Sequence, residues 1–242
     1  MILALQSGSA TPHTKSQPER VMSRNMRTRN DLYKPGFPAP PGEHYGAFVR
    51  FARRHAGTSV LDLGCGFGAY SSVLAGEGWK CVGCDINIDY LRTAARKGLP
   101  VIGADSALPF LDRSFDTVLI FEVLEHVADV ERLLAEAFRV ARKNVLITVP
   151  NSENIEVMQE NDVTYAHMLS SDHLHFFEPA SLEGLLRRYS KKIFIERSDP
   201  ILPFWFVGRS LPFYGMKLLF RLGILKPRFF SRLYAVASVR ED

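Results

Sequence analysis

Residues Val60–Gly68 read VLDLGCGFG, and no other stretch restricts the fold so sharply. Val60, Leu61 and Leu63 form a short apolar run of β-favouring residues, Gly64, Cys65, Gly66, Phe67 and Gly68 follow at once, and a periodic segment, Ala69–Ala75, comes next. This is the pattern of a buried parallel strand, a tight glycine turn and a helix N-terminus. Glycine accepts positive φ without strain, and its missing Cβ lets a ligand lie against the backbone. The helix that follows presents unpaired N–H groups and a partial positive charge to whatever occupies the turn.

A G-x-G turn alone is shared by dinucleotide, flavin and methyl-donor sites. Here the spacing is GxGxG rather than GxGxxG, and an acid, Asp62, sits inside the strand end. A second apolar strand, Cys81–Cys84, ends in Asp85, which places a carboxylate where the hydroxyls of a bound ribose would lie. A third, Leu99–Ala104, ends in Asp105-Ser106, and a fourth, Phe115–Phe121, ends in Glu122. Successive strands thus finish on acids at one carboxyl edge, where open α/β sheets bind ligands.

Together these residues resemble the class I S-adenosylmethionine-dependent methyltransferases over Val60–Asn151, with weaker similarity to about Arg188. The specific pieces are VLDLGCGFG, ALPFLDRSFD from Ala107 to Asp116, and FEVLEHV from Phe121 to Val127. The resemblance implies an α/β, Rossmann-like, seven-stranded mixed sheet, six strands parallel and one antiparallel, with helices on both faces. It also implies a donor site. Backbone at Gly64, Cys65, Gly66 and Gly68 would cradle the donor's amino-acid end, and Asp62 would balance its ammonium directly or through water. Asp85 would accept both ribose hydroxyls and Ile86 would pack on the adenine face. Asp105 would take the adenine amino group and Ser106 or Ala107 the ring edge, with Glu122 closing the site.

The acceptor side turns on Glu122-Val-Leu-Glu125-His126. If a strand end passes here into a helical turn, Glu122, Glu125 and His126 converge, because residues three and four apart share a face. Further on, Asp172-His173-Leu-His175-Phe-Phe supplies two more imidazoles. Carboxylates with histidines suit Mg²⁺ or Mn²⁺. E-x-x-E-H with a downstream H-x-F-E is similar to the ubiquinone-biosynthesis O-methyltransferases and to 3′-terminal RNA 2′-O-methyltransferases; on that analogy Glu122, Glu125, His126 and His175 are metal ligands. The other reading is a metal-free site in which His126 or His173 is the general base and Glu125 braces the turn. Lys143-Asn144, PNSEN and HFFEPASL also resemble methyltransferases of bacterial polysaccharide and glycolipid pathways. The expected function is O-methylation of a small or lipid-linked hydroxylated acceptor (a sugar, quinone or other metabolite). The alternatives are an RNA-terminal methyltransferase and a donor-binding scaffold without catalysis. No recognisable RNA module accompanies the domain, which argues against nucleic acid.

At 242 residues, nearly half of them hydrophobic, the chain fits one α/β domain with an elaboration. Residues 1–41, rich in Ser, Thr, Pro and Arg and ending in FPAPPG, read as a disordered arm, and 42–242 as the methyltransferase domain. Glu43–His55 reads as a helix whose Tyr45 packs in the core or contacts the donor. Residues 152–178 read as a lid over the acceptor. Ile193–Ile195 and Tyr234–Val239 read as a sixth and seventh strand paired as a hairpin, separated by an aromatic and basic insertion, 201–232. That insertion is read as an acceptor-pocket wall, a peripheral membrane contact or a dimer contact. The net charge of +4 is modest and concentrated in the arm and in Arg209–Arg232. Cys81 and Cys84 form a C-x-x-C, but residues three apart on a strand face opposite ways, so free thiols in a reducing cytosol are expected rather than a zinc or redox pair. Met1–Gln6 is too short for a signal-peptide core, and no apolar run is long enough to span a bilayer. The expected location is cytoplasmic, with membrane association through the insertion as the variant.

Overall fold

The alternation of buried apolar runs with amphipathic segments builds a βα sandwich around a single sheet, seen here in a computed structural model that describes residues 43–105, 107–160, 172–201, 214–215, 218–220 and 222–239. The elements in order are α1 (Glu43–His55), β1 (Ser59–Leu63), α2 (Ser71–Gly76), β2 (Lys80–Asp85), α3 (Ile88–Arg96), β3 (Val101–Gly103) and β4 (Phe115–Phe121). A 3₁₀ turn (Leu124–His126), α4 (Val130–Val140), β5 (Ala141–Pro150), α5 (Ile155–Glu160), α6 (Pro179–Leu186), β6 (Ile193–Ile201) and β7 (Phe229–Ser238) follow.

The seven strands lie in the order β3-β2-β1-β4-β5-β7-β6. The pairs β1–β2, β1–β4, β2–β3 and β4–β5 are parallel, while β7 runs antiparallel to both β5 and β6. This is the six-plus-one mixed sheet expected. Strands β6 and β7 do pair, but over a longer register than the sequence indicated, from Ile193↔Ala237 to Ile201↔Phe229. Ile201 and Phe229–Arg232 therefore belong to the sheet, and the connection between the strands narrows to residues 202–228.

Strand alternation sorts the core into two layers. Leu61, Leu63, Val118, Ile120, Ile147 and Leu233 face one side, against Leu133, Leu134 and Phe138 of α4 and Leu182 and Leu186 of α6. Val60, Leu119, Phe121, Leu146 and Tyr234 face the other, against Phe48, Phe51 and Ala52 of α1, Leu74 of α2 and Ala94 of α3. Cys81 and Cys84 fall into opposite layers, and all three cysteines are free and buried. Burial pushes the Cys81 thiol up to about 12 and the Cys84 thiol to about 11, so neither is a thiolate near neutrality.

Helix ends carry the caps that the sequence offered. Asn87 Oδ1 accepts the Asp89 and Tyr90 N–H groups, and Asp129 Oδ1 accepts that of Arg132. Pro179 opens α6 behind a capping box of Glu178 and Ser181. Among the described residues no helix is long and apolar enough to cross a membrane. The arm 1–41, the Tyr45 side chain, Ser106, residues 161–171 of the expected lid and most of 202–221 lie outside the described residues.

Candidate functional site: one pocket on the carboxyl edge of the sheet

The glycine turn is pinned to the next strand before any ligand arrives. Gly64 N–H and Cys65 N–H both donate to the Cys84 carbonyl, at 2.8 and 2.9 Å, and Gly68 N–H donates to Cys65 O at 2.9 Å. Gly64, Gly66 and Gly68 all have positive φ, at 79°, 53° and 66°. They are not equivalent. A Cβ on Gly64 would overlap the Val123 side chain, whereas one on Gly66 would meet nothing within 4 Å. Gly64 is therefore required by packing, and Gly66 keeps open space beside the backbone.

Asp85 at the tip of β2 ties the turn to α3. Its Oδ2 accepts Gly66 N–H at 2.9 Å and its Oδ1 accepts Asn87 N–H at 2.8 Å. Each oxygen keeps a lone pair for a further donor such as a ribose hydroxyl. Beneath the turn, Asp62 is buried at 1% exposure; its Oδ2 accepts the Ser71 hydroxyl at 2.7 Å. Asp62 Oδ1 has no hydrogen-bond partner among the described residues. Burial is the main cause that pushes this carboxyl up to about 7, offset by Ser71 and reinforced by the Asp85 charge. A buried acceptor left open in this way fits the ammonium, or a water bound to it, that the sequence assigned to Asp62.

The turn and Asp85 open onto a cavity of about 470 Å³, which Asp62, sealed beneath the turn, does not line. Gly64, Cys65, Gly66, Asp85, Ile86 and Asp105 line it from the β1–β3 side. Phe67 and Tyr90, with ring centroids 4.4 Å apart, add an aromatic wall that the sequence reading did not single out. Ala107 and Gly68 do not line it. Ala107 instead opens the run held by Arg139 on α4, which donates to the carbonyls of Leu108 and Phe110 and pairs with Asp112 and Glu136. The same guanidinium, helped by the Leu108 N–H, holds the Glu136 carboxyl down to about 2. That clamp gives a physical reason for the ALPFLD run.

Glu122, Val123, His126 and Asp172 line the cavity from the β4 side. Glu122 has positive φ, 56°, the sharp exit from β4 that turns the chain into the 3₁₀ helix. Its carboxylate accepts Thr148 Oγ1 at 3.0 Å and the guanidinium Nε of Arg232 at 3.0 Å. Arg232 is buried at 6% exposure and pairs through Nη1 with Asp199 at 3.0 Å, and its guanidinium lies 5.4 Å over the Phe48 ring. Burial would lower its pKa, but Glu122 and Asp199 outweigh that and raise it. Arg232 was read from sequence as one of the surface bases of the insertion; it is an interior ion of the sheet. The signal was available, since Arg232 and Tyr234 alternate onto one face of β7, and Tyr234 packs in the core.

Residues 172–177 lie across the 3₁₀ turn. Leu174 and His175 N–H groups donate to Glu125 O, and His175 Nε2 donates to Val127 O at 2.9 Å. His175 is thus held to the backbone, and its neighbour His173 faces His126, with ring centroids 4.8 Å apart. Glu125, His126 and His173 each offer one ligand atom, all within 4.8 Å of one another. The structure therefore brings together Glu125, His126 and His173, the residues of the metal-free reading, rather than the suggested ligand set. It does not gather Glu122 and His175 with them. Carboxylate oxygen with two imidazoles is a donor set that fits a divalent cation such as Mn²⁺. His126 Nδ1 sits 3.1 Å from the Asp172 carbonyl. A carbonyl can only accept, so the proton is on Nδ1 and Nε2 is the basic nitrogen in the neutral ring.

Residues 61–149 match the profile of the methyltransferase-domain family. The chain is similar to a demethylmenaquinone methyltransferase of Thermobifida fusca, 38% identical over 104 residues, covering 40% of this chain and 44% of that protein. It is also similar to a ubiquinone biosynthesis O-methyltransferase of Rhizobium rhizogenes, 38% identical over 115 residues, covering 44% and 46%. The matched stretch thus covers less than half of either relative. Among solved structures, a SAM-dependent methyltransferase from Archaeoglobus fulgidus superposes with a TM-score of 0.57 at 20% identity, covering 81% of this chain and 94% of that one. Magnesium protoporphyrin IX methyltransferase from Synechocystis PCC 6803 with bound SAH gives 0.54 at 17%, covering 82% and 83%. Residues 61–149 thus carry the sequence pattern of a methyltransferase domain, and the chain around them adopts the Rossmann-like mixed-sheet fold of these solved structures.

Proposed function

We propose that the chain transfers a methyl group from S-adenosylmethionine to a hydroxyl oxygen of a small or lipid-linked acceptor of the quinol or catechol kind. The observation that carries this is the continuity of the cavity. Gly66 and Asp85 line one side and His126 the other, so a donor and an acceptor hydroxyl can share one space. The donor supplies an electrophilic methyl on a sulfonium. This chain's residues do the rest. Gly64–Gly66 and Asp85 hold and orient, the buried Asp62 neutralises an ammonium, and His126 Nε2 takes the acceptor's hydroxyl proton as the oxygen attacks in line with the C–S bond. The products are a methyl ether, a neutral thioether and one proton on the imidazole.

Glu125, His126 and His173 would hold Mg²⁺ or Mn²⁺, whose contribution is to lower the pKa of a coordinated hydroxyl. Where the cation is bound, His126 serves as ligand rather than base. The names of the curated relatives support a quinone-type acceptor, and the O-methyltransferase among them supports oxygen as the nucleophile.

The test is transfer of tritiated methyl to catechol, quinol and sugar acceptors by wild type and His126→Ala. Label on oxygen that disappears in the variant supports the reading; label on none of these, with donor still bound, overturns the acceptor class. Calorimetric titration of Mn²⁺ into protein saturated with S-adenosylhomocysteine, compared with His173→Ala, separates the two versions. Stoichiometric heat lost in the variant means a metal site, and no heat in either means imidazole-base catalysis.

A further inference from the structure

Strands β6 and β7 extend past the end of β5. Arg232 pairs with Pro150 at the carboxyl edge, and the β6–β7 ladder continues to Ile201↔Phe229, about three residues or roughly 10 Å beyond. The connection between them therefore leaves the sheet on the edge that holds the pocket. Within it Leu218, Leu222, Ile224 and Leu225 are exposed, at 54, 61, 65 and 38%, and Tyr214 at 56%. Among the described residues no other stretch of the chain carries as many exposed large apolar side chains. Gathered apolar exposure marks a docking surface.

The charge pattern says what docks. Between Asp199 and Glu241 the sequence contains no acidic residue, while Arg209, Lys217, Arg221, Lys226, Arg228 and Arg232 supply bases. Among those the structure describes, Arg232 is held by buried acids of the fold. Lys226 and Arg228 are exposed directly beside the apolar tip. A second copy of the chain would bring this all-basic stretch against itself across a two-fold axis, because such an interface uses the same patch on both sides. Like charges would then meet like. An anionic bilayer offers the complement to both features, hydrocarbon for the leucines and phosphate for the bases.

We infer that Leu218, Leu222, Ile224 and Leu225, with Lys226 and Arg228, form a peripheral docking surface for anionic lipid bilayers, presenting the pocket edge to the membrane. This deepens the reading of a lipid-linked acceptor, yet its test needs neither donor nor acceptor, so the two can fail separately. Flotation of the full chain with phosphatidylcholine vesicles, with and without phosphatidylglycerol, is the experiment. The expected result is co-flotation only with phosphatidylglycerol, weakening with added salt. Lys226→Gln with Arg228→Gln should lower partitioning by roughly thirty-fold, from the loss of two surface bases. Leu222→Ser with Ile224→Ser and Leu225→Ser should abolish it, with circular dichroism and S-adenosylhomocysteine binding unchanged. Absence of flotation, equal flotation with neutral vesicles, or variants that float like wild type would overturn the proposal. So would a wild-type dimer that the apolar variant converts to monomer by sedimentation, which would assign the surface to a second copy.

Discussion

Asp62 is a carboxyl whose folded state prefers the proton. Its pKa rises from 3.8 to about 7 through burial, so between those values the unfolded chain releases a proton that the folded chain keeps. Stability linked to this group is fully present below pH 3.8 and is lost as pH rises towards 7. Asp62→Asn, which carries no such charge, should therefore gain in melting temperature over wild type between pH 4 and 7 and level off above, by calorimetry without ligand. Donor binding should run the other way. An ammonium facing Asp62 favours its ionised form, so S-adenosylhomocysteine affinity of wild type should increase through pH 7 while that of the variant stays flat. Gly66 makes a second single-residue prediction. Gly66→Ala places a Cβ in open space at φ 53°, so it should cost only about 1–2 kcal/mol in urea unfolding. Its donor affinity should nevertheless fall roughly tenfold or more, because the proposed site has the ligand meet the backbone in that open space. Arg232→Met should act chiefly on stability, lowering unfolding free energy by about 3–5 kcal/mol by leaving Glu122 and Asp199 without their cation.

The elements themselves were largely legible. Runs such as Val60–Leu63 and Phe115–Phe121, and caps such as Asn87 and Asp129, are local signals, and the strands and helices formed where those signals lie. What local signals do not carry is facing. In residues 172–177, spacing alone could not decide between His173 and His175, because a loop has no fixed period. The decision is made by the Glu125 carbonyl and the Val127 carbonyl, which capture backbone and ring of His175 and turn His173 towards His126. The two histidines should accordingly separate by readout. On the metal-bound version, His175→Ala should lower thermal stability and leave Mn²⁺ affinity nearly intact, whereas His173→Ala should weaken Mn²⁺ binding by calorimetry with little change in melting temperature. Arg139 belongs to the same scale. It anchors the Leu108–Asp112 loop from α4, and Arg139→Ala should speed proteolysis at that loop before global unfolding begins.

For the molecule as a whole, the sheet order followed from alternation of strands and helices, and the edge carrying the acids followed with it. The role of Arg232 did not, since its partner Glu122 is 110 residues away in sequence, and a base in a run of bases and aromatics reads as surface until the pairing is known. The placement of β7 has a consequence for the order in which a growing chain can become functional. Strand β6 is made earlier than β7 yet bonds only to it, and β5 meets nothing on that side until β7 slides between them. Until then β5 presents an unpaired ladder edge, and Glu122 at the pocket lacks its counter-ion. A ribosome-tethered chain stopped short of Phe229 would thus hold every glycine and acid of the proposed donor turn and should still bind S-adenosylhomocysteine more weakly than the full chain. Competence arrives in one late step, with the strand that closes the gap.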